Sequence, residues 1–450
     1  MKRALTVIAA VAALWSAPAQ AQAPAKQPPP QKGAAADCVG CHSKETPTVV
    51  SDWKLSKHAG ASVSCDTCHG TGHTNANDVD KVALPTPDTC AQCHDQQVAQ
   101  YKKGKHALAW VSMNAMPTIH YQPMALIEGL RGCGGCHKIG VKTEADMAAI
   151  KKAGGRASGF GVASCDACHT RHLFSVEEAR QPQACQTCHM GFDHPQWEMY
   201  STSKHGVRSS LKQLGVLAKD AGAPTCQTCH MQGGNHEVRT AWGFLAVRLP
   251  MPEDKEWAAD RVTILQALGV LDPQGKPTPR LEAVKAADMA RLTQEAFDVE
   301  RKKMLDTCSN CHSTNFAQAE LQKGDDLIRE ADRLMATAIR EVASLYKDGL
   351  LKPGKGQLGA FPDLLTFDDA PTAMEKELFV MFLEHRMRAF QGSFHANPDY
   401  ALWYGYNEMK RSLSKIQEEA QQIRAHGPAK TAPAKAAPPA KAKPPATKKG

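Results

Sequence analysis

This 450-residue chain contains sixteen cysteines, and all sixteen fall in eight copies of Cys-x-x-Cys-His. The copies are Cys38, Cys41 and His42; Cys65, Cys68 and His69; Cys90, Cys93 and His94; Cys133, Cys136 and His137. They continue with Cys165, Cys168 and His169; Cys185, Cys188 and His189; Cys226, Cys229 and His230; Cys308, Cys311 and His312. The spacing suits covalent haem attachment. Two thiols add across the two vinyl groups of a haem, and the adjacent histidine becomes the proximal ligand of the iron. Cys-x-x-Cys pairs also build zinc sites and thiol redox centres. A zinc ribbon needs two pairs per metal, however, and neither chemistry requires a histidine after every pair. Two thiols per haem predict eight c-type haems with no cysteine left over.

Nineteen histidines are present, and eleven lie outside the motifs. A relay haem takes a second axial histidine, whereas a catalytic haem keeps its sixth position open. Local context selects seven distal ligands. His58, His106 and His205 each end a short basic turn (Ser-Lys-His, Gly-Lys-His, Ser-Lys-His). His73 and His236 follow glycine-containing turns just after a motif, His172 lies three residues beyond His169, and His395 precedes Ala-Asn-Pro. His385, between Glu384 and Arg386, reads as structural, and His426 as solvated. His120 and His194 are left without an obvious iron. Asp193-His194 stands out because a carboxylate beside an imidazole can orient it, raise its basicity and accept protons.

These groups need a scaffold and a compartment. Lys2 and Arg3, an apolar run to Trp15 and small residues around Ala19 and Ala21 read as a secretory signal over 1–21. Export to a bacterial periplasm is expected, where c-type haems are attached. Residues 22–36 read as a disordered linker, and 426–450 as an extended Pro/Ala/Lys tail containing six lysines. The formal charge of +8 does not argue for nucleic acid, since haem propionates add two negative charges each. The chain is 42% hydrophobic but only 6% aromatic, so the macrocycles are expected to supply much of the core.

Seven motifs crowd into 37–240, with no regular repeat. Residues 241–425 hold the eighth motif and change character. Apolar residues recur at three- and four-residue steps over 280–304, 321–346, 375–390 and 402–423, which predicts long helices. No segment alternates convincingly as a strand would. The expected fold is mainly α, with a haem-rich front and a C-terminal bundle of long helices that also supplies oligomer contacts.

Three segments carry a family resemblance. The run from Cys165 through Thr170-Arg171-His172, Cys185 to His189, and Asp193-His194-Pro195-Gln196-Trp197-Glu198-Met199-Tyr200, followed by Ser203-Lys204-His205-Gly206, resembles the octahaem hydroxylamine oxidoreductases. Met116 to Pro123, leading into Gly132 to Gly140, and Asn397-Pro398-Asp399-Tyr400-Ala401-Leu402-Trp403-Tyr404-Gly405-Tyr406 are also similar. The likeness runs from the first motif to about residue 410.

The resemblance implies a catalytic haem at the fourth motif, on Cys133, Cys136 and His137, with seven bis-histidine haems as wiring. It implies a homotrimer and, in oxidative members, a tyrosine from a neighbouring subunit bonded to the catalytic macrocycle, the P460 haem. Tyr400 is the favoured cross-linking residue, with Tyr404 and Tyr406 as alternatives. His120 and Tyr121 are further pocket candidates. The chain is shorter than the ammonia-oxidiser enzymes, and relatives without the cross-link reduce nitrite. His137 separates it from octahaem nitrite and tetrathionate reductases, which carry lysine there.

The implied activity is oxidation of hydroxylamine or hydrazine to nitric oxide or nitrite. Asp193 and His194 would take up protons, and a cytochrome c would accept the electrons. Reduction of nitrite or nitric oxide on the same scaffold, and a non-catalytic electron conduit, are the competing readings.

Overall fold

A computed structural model describes residues 34–114, 132–152, 164–239, 246–286, 291–354 and 356–427. The leader, most of the expected linker, the tail beyond Gly427, and His120 and Tyr121 lie outside the described residues. Within them the fold is α-helical. The β-structure is an isolated bridge between Leu271 and Pro277. None of the described helices is long and apolar enough to cross a membrane.

The bundle forms where the apolar periodicity is longest. Its axis is the 34-residue helix Thr314–Lys347, started by the Ser313 side chain accepting from the Phe316 N–H. Leu321, Ile328, Met335, Ile339, Val342 and Leu345 fall on one stripe and are buried. The stripe packs against Lys255–Ala267, the Ala373–Val380 and Met387–Phe394 helices, and Asn407–His426. At its centre Asp332, fully buried, accepts from Arg386 Nε at 3.0 Å, Arg261 Nη1 at 3.3 Å and Trp257 Nε1 at 2.9 Å. Removing one partner of such a buried pair typically costs about 3–5 kcal/mol.

The helix expected over 280–304 is interrupted. Arg280–Ala286 is one helix, and Gln294–Cys308 begins anew. Thr293 adopts extended φ/ψ, its hydroxyl accepts from Ala296 N–H at 3.2 Å, and Leu292 N–H is diverted to the Arg248 carbonyl at 2.7 Å. A threonine cap competes with helix continuation through its side chain, and the apolar period passes over it without a mark. The other long helices form, but π-helical turns at Met381–Arg386 and Leu402–Tyr406 break their register.

The front is built differently. Both apolar clusters among the described residues lie at Ala246 or beyond. Up to Tyr200, buried apolar side chains are scattered: Val50, Val98, Tyr101, Trp110, Met113 and Met199 are the larger ones. Short helical turns hold the motifs, for example Cys65–His69, Cys133–His137 and Cys226–His230. One helical turn brings the first cysteine, the second at i+3 and the histidine at i+4 to one face. Reciprocal capping boxes at Thr86/Thr89 and Thr225/Thr228 start two of these turns.

Candidate haem centres and the fourth-motif site

The motif histidines are not scattered over this front. Each faces a histidine from elsewhere in the chain. Ring centres are 6.1 Å apart for His42 and His73, 6.2 Å for His69 and His172, and 6.1 Å for His94 and His58. They are 6.3 Å apart for His169 and His236, 6.0 Å for His189 and His106, 6.4 Å for His230 and His395, and 6.1 Å for His312 and His205. Two imidazoles on opposite faces of one metal, each with a bond of about 2.0 Å and about 1.1 Å from nitrogen to ring centre, stand about 6.2 Å apart. The seven histidines selected from local context are thus each set opposite a different motif histidine, at the separation an intervening iron requires.

The second ring nitrogens support the same use. His137 Nδ1 lies 2.9 Å from the Ala109 carbonyl, His69 Nδ1 3.2 Å from the Ala83 carbonyl, and His395 Nδ1 2.8 Å from the Gln391 carbonyl. His189 Nδ1 lies 3.0 Å from Gln196 Oε1, and His73 Nδ1 2.9 Å from Asp78 Oδ1. An Nδ1–H donated in this way leaves Nε2 unprotonated for a metal. Burial lowers the pKa of His137 and His395, of His189 to about 3 and of His230 to about 4, which keeps these four rings neutral donors. None of the sixteen cysteines is paired in a disulfide. Among the described residues no three His, Cys, Asp or Glu side chains converge to hold a bare metal ion, as a zinc centre would require. Beside Cys168 a cavity of about 500 Å³ opens between Ala167, Thr170, Ala184 and Thr187, a size that suits a cofactor. The residues therefore fit haem.

Thiol neighbours order the motifs in space. Cys65 lies near Cys38, and Cys68 near Cys90 and Cys93. Cys90 and Cys165 are within hydrogen-bonding reach of each other, as are Cys136 and Cys188, and Cys185 and Cys226. Burial, then Cys185, pushes Cys168 up to about 12, and burial, then Cys308 and Cys311, pushes Cys229 up to about 11. The motifs thus run 1–2–3–5–6 and 6–7–8, with motif 4 attached to motif 6.

Motif 4 has its own surroundings. Gly140 lets its turn approach the helix at Ala109, because a Cβ there would collide with the Trp110 backbone. The Ala109 carbonyl is thereby brought to His137. Opposite His137 stands His194, at 6.5 Å and 85° between planes, the widest of the eight motif pairings. His194 is also 6.0 Å from His189, so its ring sits between two motifs. Its Nδ1 is 3.0 Å from Asp193 Oδ1. Burial acts to raise the Asp193 pKa, but the His194 contact outweighs it and keeps the carboxyl below its ordinary value.

The tyrosines differ among themselves. Tyr406 packs on the bundle core. Tyr400 is partly buried, packs tilted against Tyr404 with ring centres 5.1 Å apart and lies near Glu198, four residues beyond His194. Tyr404 is 53% exposed, beside exposed Leu402 and Trp403. His385 is buried in the bundle and faces no motif, and His426 is exposed at a helix end. Sequence reasoning missed the groups that hold the rings: Asp78, Gln196, Gln391 and the Ala109 carbonyl. Asp78 alone left a local signal, five residues after His73.

Comparison with known proteins places these features. A family model described as "Seven times multi-haem cytochrome CxxCH" matches residues 61–262 and 281–358, which contain the motifs from Cys65 to His312. A second, "Cytochrome c554 and c-prime", matches residues 9–70, including the first motif. The chain is 26% identical over 481 residues to a "Probable nitrite reductase-hydroxylamine oxidoreductase fusion protein" of Kuenenia stuttgartiensis, covering 86% of this chain and 51% of the relative. It thus spans about half the length of that protein. Among solved structures, a reducing HAO-like protein complex of Kuenenia stuttgartiensis superposes with a TM-score of 0.65 at 24% identity, covering 88% of each chain. A "Hypothetical multiheme protein" superposes at 0.61 and 21%, covering 89% of this chain and 97% of that one.

Proposed function

The chain belongs to the multihaem c-type cytochromes built on repeated Cys-x-x-Cys-His motifs, and from that premise we propose that it is an exported octahaem oxidoreductase acting on a small nitrogen compound. The favoured reaction is oxidation of hydroxylamine to nitric oxide or, with water supplying the second oxygen, to nitrite, with electrons passed to a cytochrome c; hydrazine, the alternative substrate, would yield dinitrogen. One observation carries the assignment of the site. His137 faces His194 with the ring planes at 85°, and the same His194 ring, held by Asp193, stands 6.0 Å from a second motif histidine, His189.

The sixteen motif cysteines and eight motif histidines would hold eight haems, and the seven facing histidines would complete the relay haems. These groups, when bound, supply the one-electron chemistry. The rest falls to side chains. Asp193 fixes His194 by its Nδ1, which leaves Nε2 to accept protons from substrate nitrogen or oxygen. The partly exposed Asp193 provides a path for protons to water. The Cys136–Cys188 contact provides the electron exit, from motif 4 to motif 6.

Exposed Leu402, Trp403 and Tyr404 fit a self-contact in a homotrimer. Tyr400 remains the favoured cross-linking side chain, and Tyr404 is the more exposed alternative. The second reading, reduction of nitrite or nitric oxide on the same scaffold, is favoured by the solved relative described as reducing.

Reduced protein should show a P460-type absorption band beside the ordinary c-haem bands, and hydroxylamine should drive reduction of a cytochrome c. Absence of both, with nitrite consumed in the presence of a low-potential electron donor, would replace oxidation by reduction. In Asp193→Asn, kcat should fall by about 10²-fold with haem content unchanged. An undiminished rate would remove the pair from the mechanism.

A further inference from the structure

Gln196 stands where the proposed routes meet. Its backbone N–H donates to the His194 carbonyl at 2.9 Å. Its Oε1 lies 3.0 Å from His189 Nδ1, and its Nε2 donates to Gln391 Oε1 at 2.7 Å. Gln391 is buried in the Met387–Phe394 helix, and its carbonyl lies 2.8 Å from His395 Nδ1. One amide pair thus touches the catalytic segment, the motif-6 ring and the ring that faces motif 7. Motif 6 is also the point at which thiol contacts join motif 4 to both relay arms.

We propose that Gln196, held by Gln391, is a positioning residue that sets the donor strength of His189 and through it the reduction potential of the haem at the sixth motif. This rests on the reading of His189 and His106 as that haem's axial pair. The physical argument concerns the acceptor on Nδ1–H. A carboxylate there pulls the proton hardest, makes the ring the strongest donor and favours the ferric state. A neutral amide oxygen does so moderately, and an apolar group not at all. Among the relay-haem histidines named above, His73, backed by Asp78, is a carboxylate case; His189 is an amide case. A junction haem has to take electrons readily from motif 4 and still release them to either arm, which suits an intermediate donor.

Gln391 fixes the direction of the amide. Its Oε1 receives the Gln196 NH₂ group, so the Gln196 oxygen is the atom left to face His189. Turned over, Gln196 would set N–H groups against the His189 Nδ1–H and its oxygen against the Gln391 oxygen, and both contacts would be lost.

The test compares Gln196→Glu, Gln196→Leu and Gln391→Leu holoproteins by spectroscopic redox titration and by low-spin electron paramagnetic resonance. Gln196→Glu, nearly isosteric, should move one reduction step negative by about 59 mV, a tenfold change for one electron. Gln196→Leu should move the same step positive by a similar amount. Gln391→Leu should move it in the leucine direction by less, since its amide partner is then free to turn. One low-spin component should change with each. If Glu and Leu move the step in the same direction, or neither moves it while haem content is complete, Gln196 only packs and the proposal fails. Intact mass and the low-spin signals of the unaltered protein decide the ligand reading separately. A chain short of eight haem masses, or without bis-imidazole signals, would overturn that reading instead.

Discussion

His385 is a buried histidine that faces none of the motifs, and it tests what a histidine does here without a metal to receive it. Its Nδ1 is buried with no hydrogen-bond partner, and its pKa is lowered to about 4, first by burial and then by Arg388, with Glu408 and Glu377 opposing and Lys415 assisting. The unfolded chain takes up this proton near 6.5, whereas the folded protein resists until about 4. Between those values the unfolded state binds more protons, so stability rises with pH across the window and falls on acidification. The loss, complete below about pH 4, is roughly 3 kcal/mol. Melting of the holoprotein followed by circular dichroism should drop between pH 6.5 and 4.5, and His385→Gln should flatten that slope. An unchanged slope would assign the acid sensitivity elsewhere. At this scale the motifs and the facing histidines each carry a local mark: a Cys-x-x-Cys before it, a basic or glycine turn beside it, a motif three residues back for His172, or the Ala-Asn-Pro after His395. Most of the groups that tune them do not. Gln196 and Gln391 are 195 residues apart, and nothing local to either announces the other.

The reversal between the Met387–Phe394 helix and the Leu402–Tyr406 π-turn carries Tyr400 and Tyr404, and it depends on backbone passing close to backbone. A Cβ on Gly405 would overlap the Ala389 nitrogen and Cα, and one on Gly392 would stand 2.6 Å from the Ala401 nitrogen. Gly405→Ala should therefore push the turn off the helix at a cost of about 1–3 kcal/mol. Its melting temperature should fall, and any tyrosine-linked absorption band should weaken with it. Full retention of both would show that the reversal relaxes freely. Adding Gly392→Ala should cost less than a second full increment, because both substitutions displace the same contact. The helices themselves were legible from period alone, as the unbroken Thr314–Lys347 stripe shows. Their faults were not. Thr293 starts the Gln294–Cys308 helix through a single hydroxyl, and the two π-turns shift register without changing the residue types on either side.

Across the whole molecule, apolar burial and motif density are opposed. The larger cluster, from Ile264 to Ile423, joins five helices around the Asp332 ion cluster. The region to residue 239 holds seven motifs and no apolar cluster among its described residues. Its facing imidazoles stand about 6 Å apart, the gap that an iron bound by both would need. Covalent macrocycles in those gaps would supply the missing contacts and cross-link turns that are otherwise four or five residues long. The two halves should then respond differently when haem attachment is withheld. In chain produced without haem maturation, limited proteolysis read by mass spectrometry should cut throughout 37–239 while peptides from Lys255–Ala267, Thr314–Lys347 and Asn407–His426 stay protected. The matured protein should resist cleavage in both halves. Uniform digestion of the unmatured chain would mean that the bundle too needs haem, through the eighth motif at Cys308–His312. Uniform protection would mean that the front half folds on its peptide contacts, and that haem enters a structure already made.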